Sequence, residues 1–303
     1  MSGSEEPEKP FEEMDPEEFY AVMTQRNRGI ISDAEQEKIK NVTVAVGGCG
    51  SIGGNIVEPL VRLGVRRFIL CEPDAFDLSN LNRQQCFVQD ANVNKAEAVA
   101  RKVKQINPYI DVQLELEGVT EENAERIARE ADIIYDGVDV TTKKPLYYKF
   151  LLHKQARAQR KPVISGYDMA GAQLTVTYDY RDPSTRLFHG AVKESEIRDL
   201  GPFQFLFKVI PPWYVPYDLV AVVRKFAAGT LGGFPQVVYC ADCYGVMGSR
   251  QLVDLLNGAR VKRYSYLDVH QVNRPLGFRI GLVFKKWAAL TKLLIYIRTK
   301  KFA

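Results

Sequence analysis

The residues of this chain whose types and spacing could do chemistry begin at Gly48-Cys49-Gly50-Ser51-Ile52-Gly53, a G-x-G-x-x-G run. Glycines let the backbone approach a phosphate that a Cβ would block. A helix starting at the last of them offers an anion free N–H groups and the positive end of its dipole. Glu72 ends an apolar segment, where a carboxylate can meet a ribose hydroxyl. Lys95 stands in the first turn of an amphipathic stretch, where a cation opposes the helix dipole unless an anion lies between them. Asp136 closes the apolar run Ile133-Ile134-Tyr135, and a carboxylate beside phosphates calls for a cation, so Asp136 is read as a Mg²⁺ ligand. The plain alternatives are a turn that only packs helix on strand for the glycines and a solvated surface group for Lys95.

The elements that must position these groups follow from periodicity. Val42 to Val46 is an apolar strand, the glycines a turn, Gly54 to Leu63 a helix, and Arg67 to Cys71 a second apolar strand. Strand, glycine loop, helix, strand and acid make the nucleotide-binding half of a Rossmann-type sheet. Val93 to Asn107 repeats apolar residues at helical spacing, Asp111 to Glu117 alternates as a strand, and Asp132 to Asp136 is a buried strand. In open α/β sheets ligands bind at the carboxyl ends of the strands, so Glu72, Asp136 and the glycine loop are expected to share one crevice. Later come a helix over Thr142 to Arg160, on whose surface His153 is expected, and strands at 162–166 and 173–179. Asp139 is read as the cap of that helix.

Past Glu72 the chain continues Asp74-Ala75-Phe76-Asp77-Leu78-Ser79-Asn80-Leu81-Asn82-Arg83-Gln84, then Lys95 and Tyr135-Asp136-Gly137-Val138-Asp139. This run, above all Ser-Asn-Leu-Asn-Arg-Gln after an acidic strand end, resembles the ThiF/MoeB/ubiquitin-activating enzymes, from about Arg26 to Thr177 and more thinly thereafter. The resemblance implies an α/β fold, a Rossmann-like ATP-binding unit whose mostly parallel central sheet is continued by antiparallel strands, with an N-terminal helical arm. It implies ATP and Mg²⁺ as cofactors and adenylation of a carboxylate with loss of pyrophosphate. Arg28, Arg83, Lys95 and Asp136 are the implied catalytic set. Gly48, Gly50, Ser51, Ile52, Gly53, Glu72, Asp74, Asn80, Gln84, Val119, Gly137 and Val138 are the implied nucleotide contacts. Arg28, with Arg26 close by, would reach the phosphates of the other subunit of a homodimer. The loop holding Gly166, Tyr167, Asp168, Met169 and Gly171 would face the arriving substrate, a ubiquitin-like or sulfur-carrier protein or a peptide. Glu72 replaces a more usual aspartate, and Ser51 a more usual glycine. Many relatives pass the acyl group to a crossover cysteine, and residues 181–235 contain none. An NAD-dependent oxidoreductase and a non-catalytic scaffold subunit are the rival readings. The first leaves Asn80, Arg83, Lys95 and Asp136 unexplained, and the second would be expected to have lost one of them.

The organisation expected is a disordered acidic tail (1–15), a helical arm (16–40), the adenylation core (41–180), a crossover segment (181–238) and a C-terminal part of the same domain (239–303). With 46% hydrophobic and 26% charged residues the composition is ordinary globular usage. A net charge of +4 is too mild to imply nucleic acid. The absence of an export signal or a long apolar run, with five scattered cysteines, is read as a cytoplasmic protein with reduced thiols. Cys240-Ala241-Asp242-Cys243 lacks the second pair that a structural zinc requires. Pro211 to Tyr217 is aromatic and proline-rich, either a lid or a crossover connection. From Phe284 to Lys301, Trp287, Leu290, Leu293, Leu294 and Ile297 recur at helical spacing among basic residues. The preferred reading is a terminal helix docked on the sheet or across a dimer, and the alternative is a peripheral anchor on anionic lipid.

Overall fold

The computed structural model describes residues 10–227, 231 and 235–299. Most of the expected acidic tail and part of the expected crossover segment therefore lie outside the described residues.

The N-terminal arm forms as its caps dictate. Helix α1 (Pro16–Met23) and helix α2 (Asp33–Asn41) each open on a capping box, with Asp15 and Ser32 accepting backbone N–H groups and Glu18 and Glu35 reaching back. Strand β1 (Thr43–Gly47) feeds the glycine loop and helix α3 (Gly53–Leu63), which Gly64 closes in a left-handed conformation. Strand β2 (Arg67–Cys71), helix α4 (Lys95–Lys104), strand β3 (Asp111–Glu115), helix α5 (Ala124–Glu130) and strand β4 (Ile133–Asp136) complete the first half. The second half runs through helix α6 (Lys143–Ala158), strands β5 (Val163–Met169) and β6 (Ala172–Tyr178), and helices α7 (Pro202–Val209), α8 (Tyr217–Ala227) and α9 (Val238–Leu256). Strand β7 (Tyr264–Asp268), the short helix α10 (Val269–Val272) and helix α11 (Leu276–Thr299) follow.

The seven strands form one sheet in the order β3-β2-β1-β4-β5-β6-β7. Pairing is parallel from β3 through β5 and antiparallel for β5–β6 and β6–β7. A parallel strand needs a crossover helix, and α3, α4, α5 and α6 supply these. A two-residue turn suffices to reverse β5 into β6. Alternation then splits the core in two. Val44 and Val46 point to the face covered by α3, α4 and α9, whereas Ala45 points to the face covered by α5 and α6. On the first face α9 lies close along α3. A Cβ on Gly245 would stand 2.5 Å from the Asn55 carbonyl, whose helical donor is missing because Pro59 follows four residues on. The phenols of Tyr135 and Tyr244 fasten the same layer, donating to the carbonyls of Gly248 (2.8 Å) and Ile164 (2.7 Å).

The chain after β6 is the least regular. Tyr214 packs its ring against Tyr264 (5.2 Å between centroids) and Tyr266 (5.6 Å), which ties the Pro211–Tyr217 stretch to β7. The C-terminal helix starts at Leu276, eight residues before the stretch read from the sequence, and packs on α8 rather than on the sheet. Among the described residues no helix is long and apolar enough to cross a membrane.

Candidate active site

Gly48 sits at φ +80°, and a Cβ there would lie 2.5 Å from the Gly137 carbonyl, so only glycine lets β1 turn under the β4–α6 loop. Gly50 differs. A Cβ added to it would meet nothing closer than the Gln84 amide at 3.7 Å, so the space above this backbone is open. The loop is tied to its neighbours: Gly48 N–H donates to the Cys71 carbonyl (2.8 Å) and Gly137 N–H to the Gly47 carbonyl (2.7 Å). Val119 and Val138 close in around Gly47.

Glu72 is buried, and burial pushes its carboxyl above the usual range, against the pull of Lys95. Its Oε2 accepts the Cys49 N–H at 2.6 Å and its Oε1 the Asp74 N–H at 2.9 Å. The carboxylate thus holds the glycine loop in place, and each oxygen keeps a lone pair for a ligand hydroxyl. Lys95 is the first residue of α4, whose cap is Asn94, and its Nζ stands 3.7 Å from the exposed Asp74 carboxylate. Asn80 spends its Oδ1 on the Asp77 N–H (3.1 Å) and shapes the turn that delivers Arg83 and Gln84. Arg83 Nη1 donates to the Ser79 carbonyl and Asn82 Oδ1, while its Nε is buried without a protein partner. Gln84 Oε1 is likewise buried and unpartnered. Buried polar atoms without partners are rare in folded proteins. Two of them beside a glycine loop with open space above it fit a polar ligand.

Two residues of the second half complete this wall. Gln236 donates from Nε2 to Ser51 Oγ (3.1 Å) and Asp168 Oδ2 (3.2 Å), and its carbonyl accepts from Asn82 Nδ2 (3.0 Å). Burial pushes the Asp168 carboxyl up to about 6, against its bond to Ser51 and the facing charge of Arg83. Asp168 comes from the loop expected to face substrate, and it stands at the glycine loop itself. Gln236 had no sequence signal: it belongs to no motif, and its contact with Ser51 spans 185 residues.

Asp136 departs from expectation. It is fully buried, and its Oδ2 accepts from Lys149 Nζ (2.5 Å), His153 Nε2 (2.9 Å) and Ser165 Oγ (2.6 Å), while Oδ1 accepts the Val138 N–H (3.2 Å). Burial opposes ionisation, yet Lys149 and His153 outweigh it and hold the carboxyl well below the usual range. His153, expected on a helix surface, is fully buried, and burial lowers its pKa. Its Nε2–H donates to Asp136, so its Nδ1 accepts from the Tyr180 hydroxyl (2.9 Å). This donor set does not fit a magnesium ion: both carboxylate oxygens are engaged, one of them by an ammonium, where Mg²⁺ needs an open octahedral shell. Among the described residues no three His, Cys, Asp or Glu side chains cluster as a metal site. The Asp136 cluster instead braces the loop through Val138. Asp139 is exposed and accepts from Thr141 N–H and Oγ1; the cap position of α6 is Thr142.

Arg28 stands apart from the rest. The neighbouring Asn27 donates to the Leu63 carbonyl, at the opposite end of α3 from the glycine loop. Ten residues of helix put ~15 Å between those ends.

With the fold and this wall in view, comparison with known proteins is direct. A sulfur carrier protein adenylyltransferase of Thermus thermophilus is 30% identical over 206 residues, 67% of each chain. A tRNA threonylcarbamoyladenosine dehydratase of Bacillus subtilis is 31% identical over 253 residues, 78% of this chain and 96% of that one. The chain spans only 23% of the length of an uncharacterized Mycobacterium tuberculosis protein that is 33% identical over 175 residues. Among solved structures, PaaA has a TM-score of 0.58 at 18% identity, over 83% of this chain and 77% of that one. The Escherichia coli tRNA N6-threonylcarbamoyladenosine dehydratase TcdA has a TM-score of 0.56 at 18% identity, over 78% of this chain and 95% of that one. Those structural likenesses are likenesses of fold. Residues 24–210, which hold the whole glycine-loop wall apart from Gln236, match the ThiF family, and the chain belongs to that family.

Proposed function

We propose that this chain is an ATP-dependent adenylyltransferase that activates a carboxylate as its acyl-adenylate. The observation that carries the reading is the pair of buried, unpartnered polar atoms, Arg83 Nε and Gln84 Oε1, beside the open backbone of Gly50. The fold neighbour TcdA has been crystallised with ATP and with AMP. In the proposed reaction a carboxylate oxygen attacks the α-phosphorus, the bond to the bridging oxygen breaks, and pyrophosphate leaves. The backbone N–H groups of Gly50 to Gly53 and the start of α3 receive phosphate oxygens. Arg83 and Lys95 neutralise charge that builds on the leaving oxygens, Gln84 hydrogen-bonds the nucleotide, and Glu72 meets the ribose while fixing the loop. No step is routed through a metal ion, because Asp136 does not offer a site for one. Arg28 completes the site of a second copy in a homodimer, consistent with its place at the far end of α3.

The substrate proposed is the C-terminal carboxylate of a ubiquitin-like or sulfur-carrier protein, or of a peptide, in the cytoplasm. The name of the Thermus relative supports the carrier protein. Residues 181–235 contain no cysteine, and burial raises the half-buried thiols of Cys86 and Cys243, so the adenylate passes to a separate nucleophile.

The test is ATP–pyrophosphate exchange with glycine-ended carrier proteins and peptides, comparing wild type with Arg83→Ala. Exchange that needs one carboxylate class and falls about 10²-fold or more in the variant is expected. Absence of exchange, with tight NAD(H) binding and none of ATP, would put an oxidoreductase first.

A further inference from the structure

Charge is unevenly divided along this chain. Residues 269–303 hold eight Lys and Arg and no Asp or Glu, whereas the whole chain carries only +4. The remainder is therefore net negative, and all of the net positive charge sits from Arg274 through α11 to the last residues. On α11 the apolar side chains Leu276, Ile280, Val283, Phe284 and Trp287 recur at i, i+4, i+7, i+8 and i+11, which is one face of a helix. That face is open, with exposures from 47% for Trp287 to 73% for Phe284. The helix is held from another side, by Leu290 and Ala289 packed on Val215, Val220 and Val223 of the α8 region, and by Lys286 Nζ donating to the Trp213 carbonyl. Arg279, Lys285 and Lys292 are exposed; at 100° per residue Arg279 borders the apolar stripe, whereas Lys285 and Lys292 stand toward the opposite side of the helix.

We propose that α11 docks the protein on an anionic lipid surface, with its apolar stripe at the acyl boundary and its bases on the polar side of the helix, within reach of the headgroup charge. Long basic side chains reach headgroups while their stems cover apolar surface, and a basic amphipathic helix with a tryptophan has the chemistry for this interface. The helix lies on the bilayer rather than across it, since none of the described helices is apolar and long enough to span. A second copy of the same helix is disfavoured because every charge it would bring to the stripe has the same sign. A nucleic acid would leave the apolar stripe unused. The proposal is independent of the adenylation reading and its readout needs no catalysis.

The experiment is co-sedimentation of the full chain with vesicles of phosphatidylcholine alone and with phosphatidylcholine containing about one third phosphatidylglycerol, at low and high salt. In a Trp213→Phe background, the emission of Trp287 is followed in parallel. Binding at least ~10-fold stronger to the anionic vesicles, a blue shift of Trp287, and a loss of about fivefold for each of Lys285→Glu and Lys292→Glu are expected. Phe284→Glu, at an exposed position, abolishes the blue shift while circular dichroism stays that of wild type. Equal binding to both vesicles, or none to either, overturns the proposal. So does a lipid-independent dimer that Phe284→Glu splits, which would assign the stripe to a second copy.

Discussion

At the scale of single residues, the most consequential group is a carboxylate that does not face the ligand. Asp136 is the anion of a buried cluster with Lys149, His153 and Ser165. Removing one partner of such a pair strands the other charge in apolar surroundings and costs about 3–5 kcal/mol. Asp136→Ala is therefore expected to lower the unfolding free energy by that amount in urea titration, and Asp136→Leu combined with Lys149→Met to recover most of it. Loss of activity in Asp136→Ala alone would then report folding, which is why Arg83→Ala is the cleaner catalytic probe. The folded pKa of Asp136 is depressed, so its stabilisation is present above the ordinary carboxylate value of 3.8 and is lost as pH falls below it. Asp168 has the opposite sign. Its folded value is raised from 3.8 to about 6, so its contribution is full below 3.8 and lost as pH rises through about 6. Unfolding free energies across this window should fall with rising pH relative to Asp168→Asn, which removes the titration. The same variant should make the KM for ATP less dependent on pH, since a negative charge beside the phosphates is gone.

At the scale of the element, the β1–loop–α3 unit separates two uses of glycine. Gly48 has a left-handed backbone and no room for a Cβ, so Gly48→Ala strains the fold itself. Gly50 has room, and Gly50→Ala is expected to leave thermal stability within ~0.5 kcal/mol of wild type. It should weaken ATP binding about tenfold or more, because its methyl enters the open space above the loop. Calorimetric titration with ATP beside a melting curve separates the two outcomes; equal damage to both would remove the open-cradle argument. Helix α6 shows why an element's role escapes its pattern. Leu146, Phe150, Leu152 and Ala156 give it an ordinary buried face, and Lys149 and His153, one turn apart, are buried with them.

At the scale of the whole molecule, the arm that carries Arg28 is fastened by Asn27 and Gln36 to the C-terminal end of α3, away from the glycine loop of its own chain. If Arg28 serves a neighbour's site, mixing inactive Arg28→Ala and Arg83→Ala subunits restores about a quarter of wild-type exchange, since half the dimers are mixed and each holds one intact site. No recovery would argue against Arg28 serving a neighbour's site.

The first half of the molecule was legible because its signals are local. The glycine spacing, the apolar runs of β1 and β2 and the acids at strand ends each act over a few residues. Short-range sterics and hydrogen bonding decide such features wherever they occur. The strand at 173–179 was legible from its residues, whereas the antiparallel continuation of the sheet was implied only by the family resemblance. What only the tertiary structure decided is burial and partnership. Whether Asp136 meets a cation of the ligand or the ammonium of Lys149 depends on how α6 packs over β4 and β5. Gln236 reaches Ser51 only because the crossover returns to the loop, and the stripe on α11 is open only because α8 covers another side. The cost of desolvating a charge, and the pairing that offsets it, are set by neighbours distant in sequence. Residue type and spacing name the groups able to do chemistry; packing determines which of them a ligand can reach.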